Sequence, residues 1–122
     1  MRFLIDSCIL IDHLRGHEVA TRFLAREGRA AISVITWMEV MAGAADDAEG
    51  STLRAFLAGF ELVPIDAAIA EEAVVLRRER RLKLPDAVIF ATARAQRLDL
   101  ATRNTKDFRK RERGVVVPYE LG

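Results

Sequence analysis

Asp6, Glu39, Asp86, Asn104 and Asp107 are the residues of this chain whose types and placing could do chemistry. Asp6 closes the apolar run Phe3-Leu4-Ile5, and Asn104 follows the run that starts at Leu98, with Asp107 one helical turn further on. Glu39 falls one turn into a helix after another apolar run, and Asp86 opens a helix that leads into the run at Leu98. In open parallel α/β sheets, ligands bind just outside the carboxyl ends of the strands. The placing therefore brings four or five oxygen-bearing side chains to one edge. Two carboxylates about 5 Å apart repel by roughly 3 kcal/mol at an effective dielectric of about 20, so such a group is tolerable with a hard divalent cation between its members. Oxygen-only donors suit Mg²⁺ or Mn²⁺ better than zinc. A cation of that kind can acidify water and offset charge on a scissile phosphate. Each acid also has a plainer role open to it. Asp6 and Asp86 can cap helices or sit at their positive ends, and Glu39 can close a capping box with Thr36.

The elements that must position these residues follow from the apolar pattern. Phe3-Leu4-Ile5 reads as a buried strand, followed by helices over 8–15 and 17–27 with Gly16 and Gly28 as stops. A second strand is expected over 30–35, a helix over 37–45, a polar turn at Asp46-Asp47 and a helix over 51–59. Residues 62–65 read as a third strand, and Asp66 caps a long helix to residue 82 whose stripe includes Ile69, Ala73 and Leu76. Pro85 suits the first turn of the next helix, to Gln96. Its unbroken Ala87-Val88-Ile89-Phe90-Ala91 requires most of that helix to be buried. Strands over 98–102 and 115–117 complete the pattern, with Pro118 as the stop. Short apolar strands alternating with helices predict an α/β fold, a three-layer α/β/α sandwich around a parallel sheet of about five strands. The helix at 86–96 must begin at the carboxyl edge, so the long helix before it must run obliquely. At 122 residues the chain has the length of a single domain, 1–122.

Apolar residues make up 51% and charged residues 30% of the chain, a globular balance. No apolar run reaches the ~18 residues of a membrane span, and the N-terminus lacks a signal-peptide pattern. The one cysteine, Cys8, excludes an intramolecular disulfide and a multi-cysteine zinc site. These features predict a soluble, cytoplasmic protein. The net charge of +1 hides an asymmetry, since residues 1–76 carry 6 basic and 12 acidic residues while 77–113 carry 13 and 5. The basic runs at 77–83 and 103–113 suit a polyanion such as RNA, or a solvated helix face. His13 and His17 straddle Gly16 and read as surface residues, and Trp37 reads as core or as a base-stacking platform. Cys8, Met38 and Met41 read as packing residues. No G-x-G-x-x-G follows a strand, which disfavours a dinucleotide-binding enzyme. A phosphoacceptor receiver domain has a similar length, but its adjacent acid pair after the first strand is missing: the chain offers Asp6-Ser7 there and Asp66 after the third strand.

Four segments resemble the motifs of PIN-domain proteins, especially VapC-type toxins of toxin–antitoxin modules. Leu4-Ile5-Asp6-Ser7-Cys8-Ile9-Leu10-Ile11-Asp12 is similar to that family's opening, and Ser33 to Val40 to its second motif. Leu84-Pro85-Asp86-Ala87 to Ala93 resembles the third, and Ala101 to Phe108 the fourth. The resemblance implies a PIN fold and an Mg²⁺- or Mn²⁺-dependent endoribonuclease, with transfer RNA a plausible substrate. It implies Asp6 and Asp86 as metal ligands, with Glu39 binding directly or through water. The fourth position, often Asp in the family, is Asn104 here, and Asp107 is the residue that could compensate. Ser7 and Thr102 could bond water at the metal. A homodimer is implied, with a VapB-like antitoxin whose C-terminal tail covers the site and brings an Arg or Lys to the carboxylates. Loss of charge at Asn104 leaves a weakened RNA-binding or scaffold module as the alternative.

Overall fold

The computed structural model describes residues 1–109 and 112–121. The chain runs β1 (Phe3–Ile5), α1 (Ser7–Leu14), α2 (Glu18–Glu27), β2 (Ala31–Ser33), α3 (Val34–Met41), α4 (Asp47–Leu57) and β3 (Glu61–Val63). It continues through α5 (Ala67–Arg80), α6 (Leu84–Ala95), β4 (Asp99–Ala101) and β5 (Val115–Val116). Among the described residues the sheet has five strands in the order β3-β2-β1-β4-β5, all paired in parallel. The expected three-layer sandwich is therefore the observed one. Successive strand residues point to opposite faces, which divides the core in two. Leu4, Ala31 and Leu100 face the α5–α6 layer, while Phe3, Ile5 and Ile32 face the layer that holds α1, α2 and α4.

Helix α6 has the burial its sequence requires, with Ala87, Ile89, Phe90, Ala91, Thr92 and Ala93 all buried. Helix α5 packs chiefly against α6 rather than on the sheet. Phe90 is fully buried, meets Phe108 edge-on at 5.5 Å between centroids, and lies under the Arg94 guanidinium at 4.5 Å. Phe90→Ala removes a ring that ties α6 to the segment after β4. It should cost about 3–5 kcal/mol, read as a lower urea midpoint with an unchanged slope.

Several expected boundaries shift by a few residues, α3 running Val34–Met41 rather than 37–45, and for two of them the cause is a helix cap. β2 ends at Ser33, not at residue 35, because Ser33 in extended conformation caps α3 by accepting a hydrogen bond from the Ile35 amide. Thr36 and Glu39 therefore lie inside α3 and form no capping box. Thr36 is buried, with a hydroxyl that has no partner among the described residues. α4 begins at Asp47, four residues earlier than expected, because Asp46 accepts from the Glu49 amide. Asp66 caps α5 in the same way through the Ile69 amide. Among the described residues no helix is long and apolar enough to cross a membrane.

Candidate active site

Asp6 stands at the N-cap position of α1 but makes no capping hydrogen bond. Its amide continues the β1–β4 ladder by donating to the Ala101 carbonyl. Its carboxylate turns sideways, accepting from the Thr102 hydroxyl at 2.7 Å and from the Cys8 thiol at 3.4 Å. At 4% exposure and with neutral partners only, this charge is poorly solvated. Burial raises the Asp6 pKa against the opposing pull of Thr102 and Cys8. Thr102 also accepts from the Asn104 amide, so one buried hydroxyl orients both the acid after β1 and the turn after β4.

Asp86 lies in the first turn of α6, where the helix dipole alone would favour its charge. Its pKa is instead pushed up to about 6 by burial, and then by the charges of Asp6, Asp107 and Glu39, with Lys83 opposing. Asp6, Asp86 and Asn104 line one open pocket of about 380 Å³, together with Ser7, Arg103 and Lys106. Glu39 lines a neighbouring hollow with Ile11 and Leu53 instead, and reaches this site through Ser7, whose hydroxyl donates to Glu39 Oε1 at 2.9 Å. Partial desolvation raises Glu39, Ser7 opposes it, and the Asp6 charge adds to the rise. Asn104 is turned to its own loop. Its Nδ2 donates to Asp107 at 2.8 Å, and its Oδ1 accepts from the Asp107 amide at 3.2 Å.

The expected acids are thus neighbours that act on one another through charge, but they are not gathered equally. Among the described residues no three His, Cys, Asp or Glu side chains are close enough to form a metal-holding group. The donor chemistry still fits a hard cation. The donors are oxygens, Asp6 and Asp86 share a pocket with no ion pair among the described residues, and burial followed by the Asp6 charge raises Asp86.

A second network was not foreseen from the sequence. Arg103, which lines the pocket, binds buried Asp12 through Nε at 2.5 Å and Nη2 at 2.9 Å. Tyr119 also donates to Asp12, at 2.8 Å. Burial opposes the Asp12 charge, but these bonds outweigh it and lower its pKa. The signal available was one acid, Asp12, inside the apolar helix Ser7–Leu14.

The remaining sequence candidates take structural places. Cys8 is partly buried, with its thiol pushed up to about 12 by burial and by Asp6. His13 stacks on Phe56 and bonds Thr21, and His17 precedes α2 as its cap residue. Trp37 and Met41 pack against the core cluster. Met38 does not, being 45% exposed, because α3 turns that position outward. Lys110 and Arg111 of the second basic run lie outside the described residues.

The chain is thus a parallel sandwich with Asp6 and Asp86 in one pocket at the carboxyl edge. The chain matches the PIN-domain family over residues 3–114 and belongs to it. It is 39% identical over 113 residues to "Ribonuclease VapC10" of Mycobacterium tuberculosis, covering 86% of this chain and 84% of that one. It is 26% identical over 121 residues to the "tRNA(fMet)-specific endonuclease VapC" of Shigella flexneri, covering 90% and 92%. Among solved structures it is similar to a chain in a toxin–antitoxin complex from Klebsiella pneumoniae, with a TM-score of 0.91, 47% identity, and coverage of 99% and 100%.

Proposed function

We propose that this chain is the single-domain toxin of a toxin–antitoxin pair, an endoribonuclease that hydrolyses RNA with Mg²⁺ or Mn²⁺. The observation that carries the reading is Asp6 and Asp86 in one pocket at the carboxyl edge, with Asp86 raised to about 6 by burial and by the neighbouring carboxylates. The relatives named as VapC nucleases support it. A divalent cation held by Asp6 and Asp86, with Glu39 directly or through water, would supply acidified water and offset charge on the scissile phosphate. Thr102 fixes the Asp6 carboxylate, and Ser7 fixes Glu39. Lys106, at the pocket wall, offers a cation to the phosphate flanking the cut. Asn104 positions Asp107 in this reading, and Asp107 adds negative charge beside Asp86.

Transfer RNA is the proposed substrate, on the strength of the Shigella flexneri relative. A VapB-like antitoxin is the proposed inhibitor, its C-terminal tail placing an Arg or Lys against the carboxylates, and the toxin acts as a homodimer in the cytoplasm. A second reading, a weakened RNA-binding module, is favoured by one observation: Asn104 is tied to Asp107 and no three-acid metal group exists among the described residues.

One experiment separates the two. Antitoxin-free protein is incubated with total cellular RNA in Mn²⁺, in Mg²⁺ and in EDTA. Discrete fragments with metal alone are expected, and their size identifies the RNA class. Intact RNA, with no metal uptake by calorimetry, would select the second reading.

A further inference from the structure

We propose that the basic pocket between the end of α5 and the segment after β4 is a second RNA site, which holds the backbone beyond the bond lying at the carboxylates. The proposal rests on the nuclease reading above. The two basic runs are far apart in sequence, and the fold joins them. Arg80 donates to both oxygens of Glu112, clamping the end of α5 to the later segment. Beside that clamp is a cavity of about 680 Å³, larger than the carboxylate pocket, lined by Glu79, Arg80, Arg81, Arg109 and Glu112. Arg80 takes the charge of Glu112, which leaves Arg81 and Arg109 facing Glu79. Both arginines are exposed, and neither side chain has a hydrogen bond or ion pair among the described residues.

Each run also bears on the carboxylates. Lys83, two residues after Arg81, acts on the charge of Asp86. Lys106, three residues before Arg109, lines the pocket with Asp6 and Asp86. Each basic run therefore supplies a cation to both places, Arg81 and Lys83 from one run and Arg109 and Lys106 from the other. Cations at both places suit a polyanion whose charge repeats along its backbone and extends past the carboxylates, which favours RNA over an acidic peptide as the occupant. Arg81 adds a second observation. It holds a left-handed conformation, φ 54°, at the C-terminus of α5. Glycine takes that position without strain, and strain of this kind collects at functional positions.

The test is binding in an Asp86→Asn background, which removes cleavage from the measurement. Arg81→Gly with Arg109→Gln should weaken a labelled single-stranded RNA of about 16 nucleotides roughly tenfold, while one of about 4 nucleotides, confined to the carboxylate pocket, binds both proteins alike. Two fewer phosphates are then neutralised, so the slope of log affinity against log salt should become shallower by about 1.4. Arg81→Gly alone should melt at the same or a higher temperature, where a structural role for Arg81 would lower it. Unchanged affinity and slope for the long RNA would overturn the proposal. So would competition at these arginines by poly-glutamate and not by RNA, which would make the pocket a protein site. If the unsubstituted protein cuts no RNA and the binding differences persist, the second site stands and the nuclease reading falls.

Discussion

Replacing Asp86 by asparagine should abolish RNA cleavage while making the metal-free protein harder to melt. The first effect follows from the proposed role: an amide supplies one weak neutral oxygen where a cation needs a charged one, and the loss should be on the order of 10³-fold in kcat or more. The second follows from the electrostatics. Asp86 is raised from 3.8 to about 6 in the fold, so the folded state binds its proton more tightly than the unfolded chain does. A carboxyl raised in this way contributes stability that is fully present below about pH 4 and is lost as pH rises through about 6. The ceiling of that loss is about 3 kcal/mol, and partial exposure of the group reduces it to about 1 kcal/mol. Asp86→Asn should therefore raise the melting temperature by roughly 3–5 °C at pH 7.5 and change little at pH 4. Adding Mn²⁺ should reverse the order, stabilising the unsubstituted protein and not the variant. A variant that melts lower at pH 7.5 without metal would show that burial and the neighbouring carboxylates do not make the Asp86 charge a cost to the fold. The same proton competes with the cation, so cleavage should rise as pH passes upward through about 6.

The sequence was most informative where backbone topology alone decides position. Asp6 is placed by the end of β1 and Asp86 by the start of α6, and both elements are marked by their apolar runs and by Pro85. Their shared pocket follows once the sheet is parallel. Element ends were less legible, because several caps compete for each one. Ser33 and Thr36 can both cap a helix, and the fold selects Ser33, which turns Thr36 inward and shortens β2. The sequence locates Glu39 on its helix, α3. Which pocket it lines depends on how α3 rotates against α1, and its tie to Ser7 crosses 32 residues. Asn104 and Asp107 stand three apart in a turn, where a side chain finds its own backbone before it finds a distant ligand. No periodicity marks a bond such as that from Tyr119 to Asp12, which spans 107 residues.

That unforeseen network carries the largest expected effect on stability outside the apolar core. The Asp12 side chain is 2% exposed and Arg103 32%. Arg103→Met leaves a buried carboxylate with Tyr119 as its remaining hydrogen-bond donor among the described residues. Stripping the partner from a buried charge costs about 3–5 kcal/mol. The partial exposure of Arg103 admits water to the gap, so about 2 kcal/mol is expected at pH 7. Asp12 titrates below its ordinary value of 3.8, so its contribution is present at neutral pH and is lost as pH falls through the native value. The difference between the unsubstituted protein and Arg103→Met should accordingly shrink in acid, as urea midpoints at pH 7 and near pH 3 would show. An equal cost at both would assign the effect to lost packing of the arginine stem instead. Asp12→Leu combined with Arg103→Met should recover part of the loss, because an apolar pair of similar volume leaves no charge stranded. The consequence reaches the site through the backbone. The Arg103 amide donates to the Cys8 thiol, the thiol donates to Asp6, and Asn104 follows Arg103 directly. The ion pair behind the pocket therefore holds the turn that carries its wall. Arg103→Met should loosen Thr102 and Asn104 as well as lower the urea midpoint, seen as faster amide exchange at both residues under native conditions.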